Sequence, residues 1–133
     1  MSAILLDSHI VVWSRTEPHR LSNEQRLTLE QLERTGQTVA ISDITFWELS
    51  LAFEKGRLTL DVALDEYLHE IEGHPLVEVL PINARIAAEA ARLGRDFHKD
   101  PCDRIIVATA RVHGMRLMTA DTLIRRWGKI PLI

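Results

Sequence analysis

Four carboxylates in this 133-residue sequence stand where an acid calls for an explanation: Asp7, Glu48, Asp103 and Asp121. Asp7 directly follows the short apolar run Ala3-Ile4-Leu5-Leu6, and Asp121 lies just past the β-favouring run Arg116-Leu117-Met118-Thr119. Glu48 falls inside a helical pattern, on a stripe with Ile44, Trp47, Leu51 and Ala52 at three- and four-residue spacing. Asp103 shares another such stripe with Ile106, Val107 and Ala110. A carboxylate on a core-facing stripe must be paired, protonated or bound to a cation, because burying it bare is costly.

Each acid alone has a plainer explanation. Asp7 and Asp121 are good N-caps for the helices that follow them. Asp103 complements a helix N-terminus opened by Asp100, and Glu48 can sit at a boundary with its head in solvent. Together they say more. Four acids near strand ends or on the first turns of adjoining helices repel one another, which raises their pKa values or demands a cation. A hard divalent ion with oxygen ligands, Mg2+ or Mn2+, resolves that repulsion. One or two such ions could position water for in-line attack on a phosphodiester. The histidines at 9, 19, 69, 74, 98 and 113 show no metal-ligand spacing, which argues against zinc.

The elements that must position these acids alternate between strand and helix. Ala3–Leu6 is too short for a helix and suits a buried strand. A short helix then runs to Trp13. Ser22-Asn23-Glu24-Gln25 reads as a capping box for a helix stopping at Gly36. Thr38–Ile41 is β-favouring, and Ser42 can cap a helix ending near Gly56. A helix capped by Asp61 runs to Gly73, with Leu64, Tyr67, Leu68 and Ile71 on one face. Val77–Leu80 resembles a strand, and Asn83 caps an alanine-rich helix ending near Gly94. Asp100-Pro101 opens a helix that Gly114 ends, with Pro where its missing N–H costs nothing. Residues 116–119 form a short strand, Asp121 caps a final helix, and Ile130–Ile133 suits a last strand. The alternation predicts a mainly parallel sheet with helices on both faces, and a working site beyond the carboxyl ends of its strands.

The bulk properties fit one soluble domain spanning 1–133. Hydrophobic residues make up 46% and charged residues 26%, with no apolar run of membrane-spanning length. The N-terminal segment shows no secretion signal, and Cys102, the sole cysteine, rules out an internal disulfide and suits a reducing cytoplasm. A net charge of −3 excludes a protein that grips nucleic acid by charge alone. Answering four carboxylates with metal leaves the remainder close to neutral. Arg15, Lys55, Arg57 and Arg104 are the cations that could touch phosphate, and solvated surface charge is the simpler explanation of each.

Four segments carry a resemblance to a known family: Leu5-Leu6-Asp7-Ser8, Ser42-Asp43-Ile44-Thr45-Phe46-Trp47-Glu48-Leu49, His98-Lys99-Asp100-Pro101-Cys102-Asp103-Arg104 and Thr119-Ala120-Asp121. In this order and at this length, the chain resembles the PIN domain, specifically the VapC-type toxin nucleases of bacterial toxin-antitoxin systems. The resemblance implies that Asp7, Glu48, Asp103 and Asp121 are the four metal-binding acids, and that Thr119 is a hydroxyl placed to bond a metal-bound water. Ser8 has a similar possible role beside capping. Asp100 is mainly a cap. Cys102 stands where relatives often carry an aromatic and is structural. The family further implies a three-layer α/β/α fold with a five-stranded, mainly parallel sheet, a homodimer, and a cognate VapB-type antitoxin. It also implies Mg2+- or Mn2+-dependent cleavage of RNA in the cytoplasm that stops translation. The helix that carries Glu48 shows a second apolar row, Phe46, Leu49 and Phe53, which either lies deep in the core or meets the antitoxin or the second subunit.

Two rivals are weighed against it. A phospho-acceptor receiver also gathers acids at a sheet edge, but it needs paired acids on the first strand and a lysine after the last. Ser8 and the run Leu117-Met118-Thr119 offer neither. A PIN fold that binds RNA or protein without cutting is the other, and retaining four clustered carboxylates without metal is electrostatically unfavourable.

Overall fold

The computed structural model describes residues 2–133; Met1, the first residue of the segment inspected for a leader, lies outside the described residues. In chain order the elements are β1 (Ile4–Leu6), α1 (Ser8–Thr16), α2 (Asn23–Arg34), β2 (Val39–Ser42), α3 (Ile44–Glu54), α4 (Leu64–Glu72), β3 (Val77–Leu80), α5 (Ala84–Arg92), α6 (Pro101–His113), β4 (Arg116–Met118) and α7 (Thr122–Trp127). The strands form one parallel sheet in the order β3-β2-β1-β4.

Period-two alternation divides the core between the two faces of that sheet. Leu5, Ala40 and Leu117 point to one side, against Leu93, Phe97, Ile106, Val107, Ala110 and Ile124. Ile4, Leu6, Val39, Ile41 and Met118 point to the other, against Ile10, Val11, Leu49, Tyr67 and Ile71. Thus α5, α6 and α7 cover one face and α1 to α4 the other, as expected of a parallel sheet buried on both sides. No helix among the described residues is long and apolar enough to cross a membrane.

The sheet has four strands rather than the five expected. The segment Ile130–Ile133 runs beside β4 but contributes a single parallel bridge, Leu117 to Leu132. Its Pro131 accepts from the Leu117 N–H at 2.9 Å and has no N–H of its own to extend the ladder.

The caps read from sequence largely form. Ser22 and Gln25 make a reciprocal capping box, and the side chains of Asn83, Asp100 and Asp121 cap α5, α6 and α7. Gly114, at φ 65°, closes α6 in the left-handed conformation. Asp61 does not cap: α4 begins at Leu64 after an extended Ala63, where its buried face of Tyr67 and Ile71 begins. On α3 the buried positions are Thr45 and Leu49, and Phe46 packs against the same cluster, while Trp47 is 56% exposed. On the second row only Leu49 is buried, with Phe46 and Phe53 half-buried, and the stripe expected to face the core is partly solvent-facing.

Candidate active site

The chain lays β2 and then β3 on one side of β1, crosses back, and places β4 on the other side. That reversal opens a crevice at the carboxyl ends of β1 and β4, the place where open parallel sheets bind ligands. Asp7 leaves β1 there, and its backbone N–H donates to Met118 O at 3.0 Å. Thr119 leaves β4 opposite it. The Thr119 hydroxyl donates to Asp7 Oδ2 at 2.7 Å and accepts the Asp121 N–H at 3.0 Å. Both residues are buried, so this hydroxyl faces a carboxylate and a peptide rather than water. It joins the two acids from opposite ends of the chain.

The other Asp7 oxygen, Oδ1, accepts the Ser8 N–H at 2.8 Å. Asp7 is therefore a helix cap and a site residue at once, as the sequence left open. The Ser8 hydroxyl is 2.7 Å from Glu48 Oε1 and 3.1 Å from Thr45 Oγ1, so it links α1 to α3 and aims the Glu48 head at Asp7. Asp103 enters from the first turn of α6, where Asp100 Oδ1 accepts the N–H groups of Cys102 and Asp103. One ligand atom from each of Asp7, Glu48 and Asp103 lies within 4.8 Å of the others; the same holds for His98, Asp103 and Asp121. The structure thus brings all four predicted acids together, with Asp103 common to both groups.

Such crowding has an electrostatic signature. Burial first, then Asp7 and Asp100, hold the Glu48 carboxyl up at about 7, against the lowering effect of the Ser8 hydroxyl. Burial, then Asp7, Asp100, Glu48 and Asp121, push Asp103 up to about 8. Burial and the neighbouring carboxylates Glu48, Asp100 and Asp103 raise the Cys102 thiol to about 11, so it remains a protonated, half-buried filler. A bound cation would relieve this repulsion among the carboxyls. The donors fit a hard divalent ion: they are mostly carboxylate oxygens, converging, with no thiolate available.

Sequence reasoning missed His98. Its Nε2 is buried, 3.2 Å from Asp103 Oδ2, and makes no hydrogen bond. No spacing rule could find it, because it sits in the loop before α6 and reaches the site only through that loop's conformation. Arg104 sets the conformation. Its guanidinium donates to the carbonyls of Ala90, Gly94, Phe97 and His98. Arg104 is thus a structural clamp, and Arg15 is likewise engaged, 2.8 Å from Glu70 and over the Tyr67 ring. His9 was also passed over. Its Nε2 accepts the Ala120 N–H at 2.9 Å, which leaves the neutral ring's proton on Nδ1, 3.7 Å from Asp7 Oδ2.

Comparison with known proteins follows the same outline. A model of the PIN domain matches residues 4–130. The ribonuclease VapC22 of Mycobacterium tuberculosis is 35% identical over 125 residues, which cover 94% of this chain and 92% of that protein. Among solved structures, DNA-bound VapBC from Salmonella typhimurium superposes with a TM-score of 0.72 at 21% identity, covering 100% of this chain and 98% of the other. A toxin-antitoxin complex from Klebsiella pneumoniae does so with a TM-score of 0.65 at 21% identity, covering 98% and 95%. At that identity the structural likeness speaks for the fold.

Proposed function

Because the chain belongs to the PIN-domain family, we propose that its acidic cleft hydrolyses RNA phosphodiesters with Mg2+ or Mn2+, as the toxin of a toxin-antitoxin pair. One observation carries this above the others: Asp7, Glu48 and Asp103 converge within 4.8 Å at the sheet's switch point, sharing Asp103 with Asp121 and His98. The likeness to a VapC ribonuclease supports RNA as the substrate.

Asp7, Glu48, Asp103 and Asp121 are the residues that would hold the ion, with His98 Nε2 within reach as a nitrogen donor. Once bound, the ion supplies positive charge for the phosphate and lowers the pKa of water toward neutrality. The protein's own part is orientation. The Ser8 amide and Thr119 hydroxyl fix both Asp7 oxygens, and the Ser8 hydroxyl fixes one oxygen of Glu48. Thr119 is therefore a positioning residue, acting through Asp7. Partner proposals follow from the likeness to VapBC and toxin-antitoxin complexes: a VapB-type antitoxin, a homodimeric toxin, and action on cytoplasmic RNA that arrests translation.

The test is cleavage of total cellular RNA by purified, antitoxin-free protein, with Mg2+ or Mn2+ against EDTA. Asp7→Asn should lower the rate by more than roughly 100-fold, whereas Thr119→Val should fall in the 10–100-fold range typical of a partner to a metal ligand. No cleavage by the wild type, or equal cleavage by Asp7→Asn, would transfer the assignment to a non-catalytic PIN module.

A further inference from the structure

The acids occupy only one end of their cleft. The cavity measures about 740 Å³, within the roughly 300–1,000 Å³ of small-molecule-sized sites, and it continues from Asp7 and Asp103 along α1 to Trp13, Arg20 and Arg57. Beyond the acid cluster the cleft wall thus changes to Trp13, Arg20 with its partner Glu17, and Arg57.

The wall is assembled rather than incidental. Trp13 lies one turn after His9 on α1, and the two rings are 4.9 Å apart at 57°. The chain then turns through a short 3-10 helix, Pro18–Arg20, which returns the Arg20 guanidinium to 4.4 Å above the Trp13 ring. Glu17, 3.6 Å from Arg20, steadies it there. Arg57 projects from the turn after α3 and, among the described residues, has no carboxylate within 4 Å. Of the four cations the sequence offered for phosphate, Arg15 and Arg104 are engaged elsewhere and Lys55 lies outside the cleft, so Arg57 alone of them lines it.

We propose that this wall is a nucleotide subsite for single-stranded RNA, with a base packed on the Trp13–Arg20 stack and an adjacent phosphate on Arg57. The subsite rests on the ribonuclease assignment above and names the residues of this chain that would hold the nucleotide beside the acids. Aromatic rings and guanidinium planes hold unpaired bases through their faces, with little regard to base identity. A paired base has both faces covered by its neighbours, so a duplex cannot present one to a wall set inside a cleft.

The experiment uses the full chain with a labelled single-stranded oligoribonucleotide and the same strand in a duplex. Binding is read by fluorescence anisotropy in an Asp7→Asn background with Mg2+, and cleavage by kcat and KM in the otherwise native chain. Arg57→Ala and Trp13→Leu should each weaken single-strand binding on the order of tenfold. They should raise KM while leaving kcat nearly unchanged, as loss of uniform binding does. Trp13→Phe, which keeps an aromatic face, should recover most of the loss, and the duplex should bind weakly to every variant. Arg57 is exposed, so Arg57→Ala decides the matter even where Trp13→Leu does not fold. Unchanged anisotropy and KM in Arg57→Ala and Trp13→Leu, or equal binding of the duplex, would overturn the subsite while RNA cleavage kept the nuclease standing. Weakened binding in a chain that cuts no RNA would do the reverse.

Discussion

At the scale of single residues, two carboxyls raised by burial and by each other make a statement about pH. Glu48 and Asp103 hold their protons to about 7 and about 8 in the folded chain, and release them in the ordinary carboxylate range when unfolded. Between those limits the native state binds more protons than the unfolded state, so stability falls as pH rises. The contribution is complete below about pH 4 and is lost by about pH 8. Metal-free protein in EDTA should therefore melt at progressively lower temperature from pH 5 to pH 8, and Asp103→Asn should flatten that slope. A melting temperature that rises across this window in the wild type alone would contradict the electrostatics described. These acids were legible in the sequence because a charge interrupting an apolar period is conspicuous. His98 and Arg20 were not, since each reaches the cleft from a loop or 3-10 turn whose path no periodicity encodes.

At the scale of elements, the loop between α5 and α6 is seated by Phe97 in the core and gathered by Arg104. Arg104 gathers four backbone carbonyls with the fixed fork of its guanidinium, and Phe97 packs beneath it at 5.7 Å. Lysine presents a single ammonium and cannot reproduce that geometry. Arg104→Lys should lower stability by about 1 kcal/mol, the net worth of hydrogen bonds whose acceptors water can still reach, and should increase hydrogen exchange across residues 93–99. Wild-type exchange there, with unchanged stability, would show that the loop holds itself. Sequence alone read Arg104 as surface charge, because four carbonyl acceptors leave no mark in the pattern of side chains. It read the helix starts at Asn83, Asp100 and Asp121 well, because a cap is a local interaction. It misplaced the start of α4 and added a fifth strand, because distant packing and one proline decided those.

At the scale of the whole molecule, a net charge of −3 means that attraction to RNA must be local. Only two lysine or arginine side chains line the cleft among the described residues, Arg20 and Arg57. For single strands the logarithm of affinity falls with the logarithm of salt with a slope near −0.7 per neutralised phosphate, so the single phosphate placed on Arg57 predicts a slope of about −0.7. Anisotropy titrations across a range of salt would measure it. A slope of about −4 or steeper would require a broad basic face and would be incompatible with a binding surface confined to this cleft.

The bond from Thr119 to Asp7 spans 112 residues of sequence. Asp7 is therefore made well before its partners on β4 and the cap of α7. Chains fold from the N-terminus as they are extended, yet no early fragment can assemble the four acids, because β1 has only one finished edge until β4 arrives. A chain built this way gains its acidic cleft only after the strand that completes the sheet has been made.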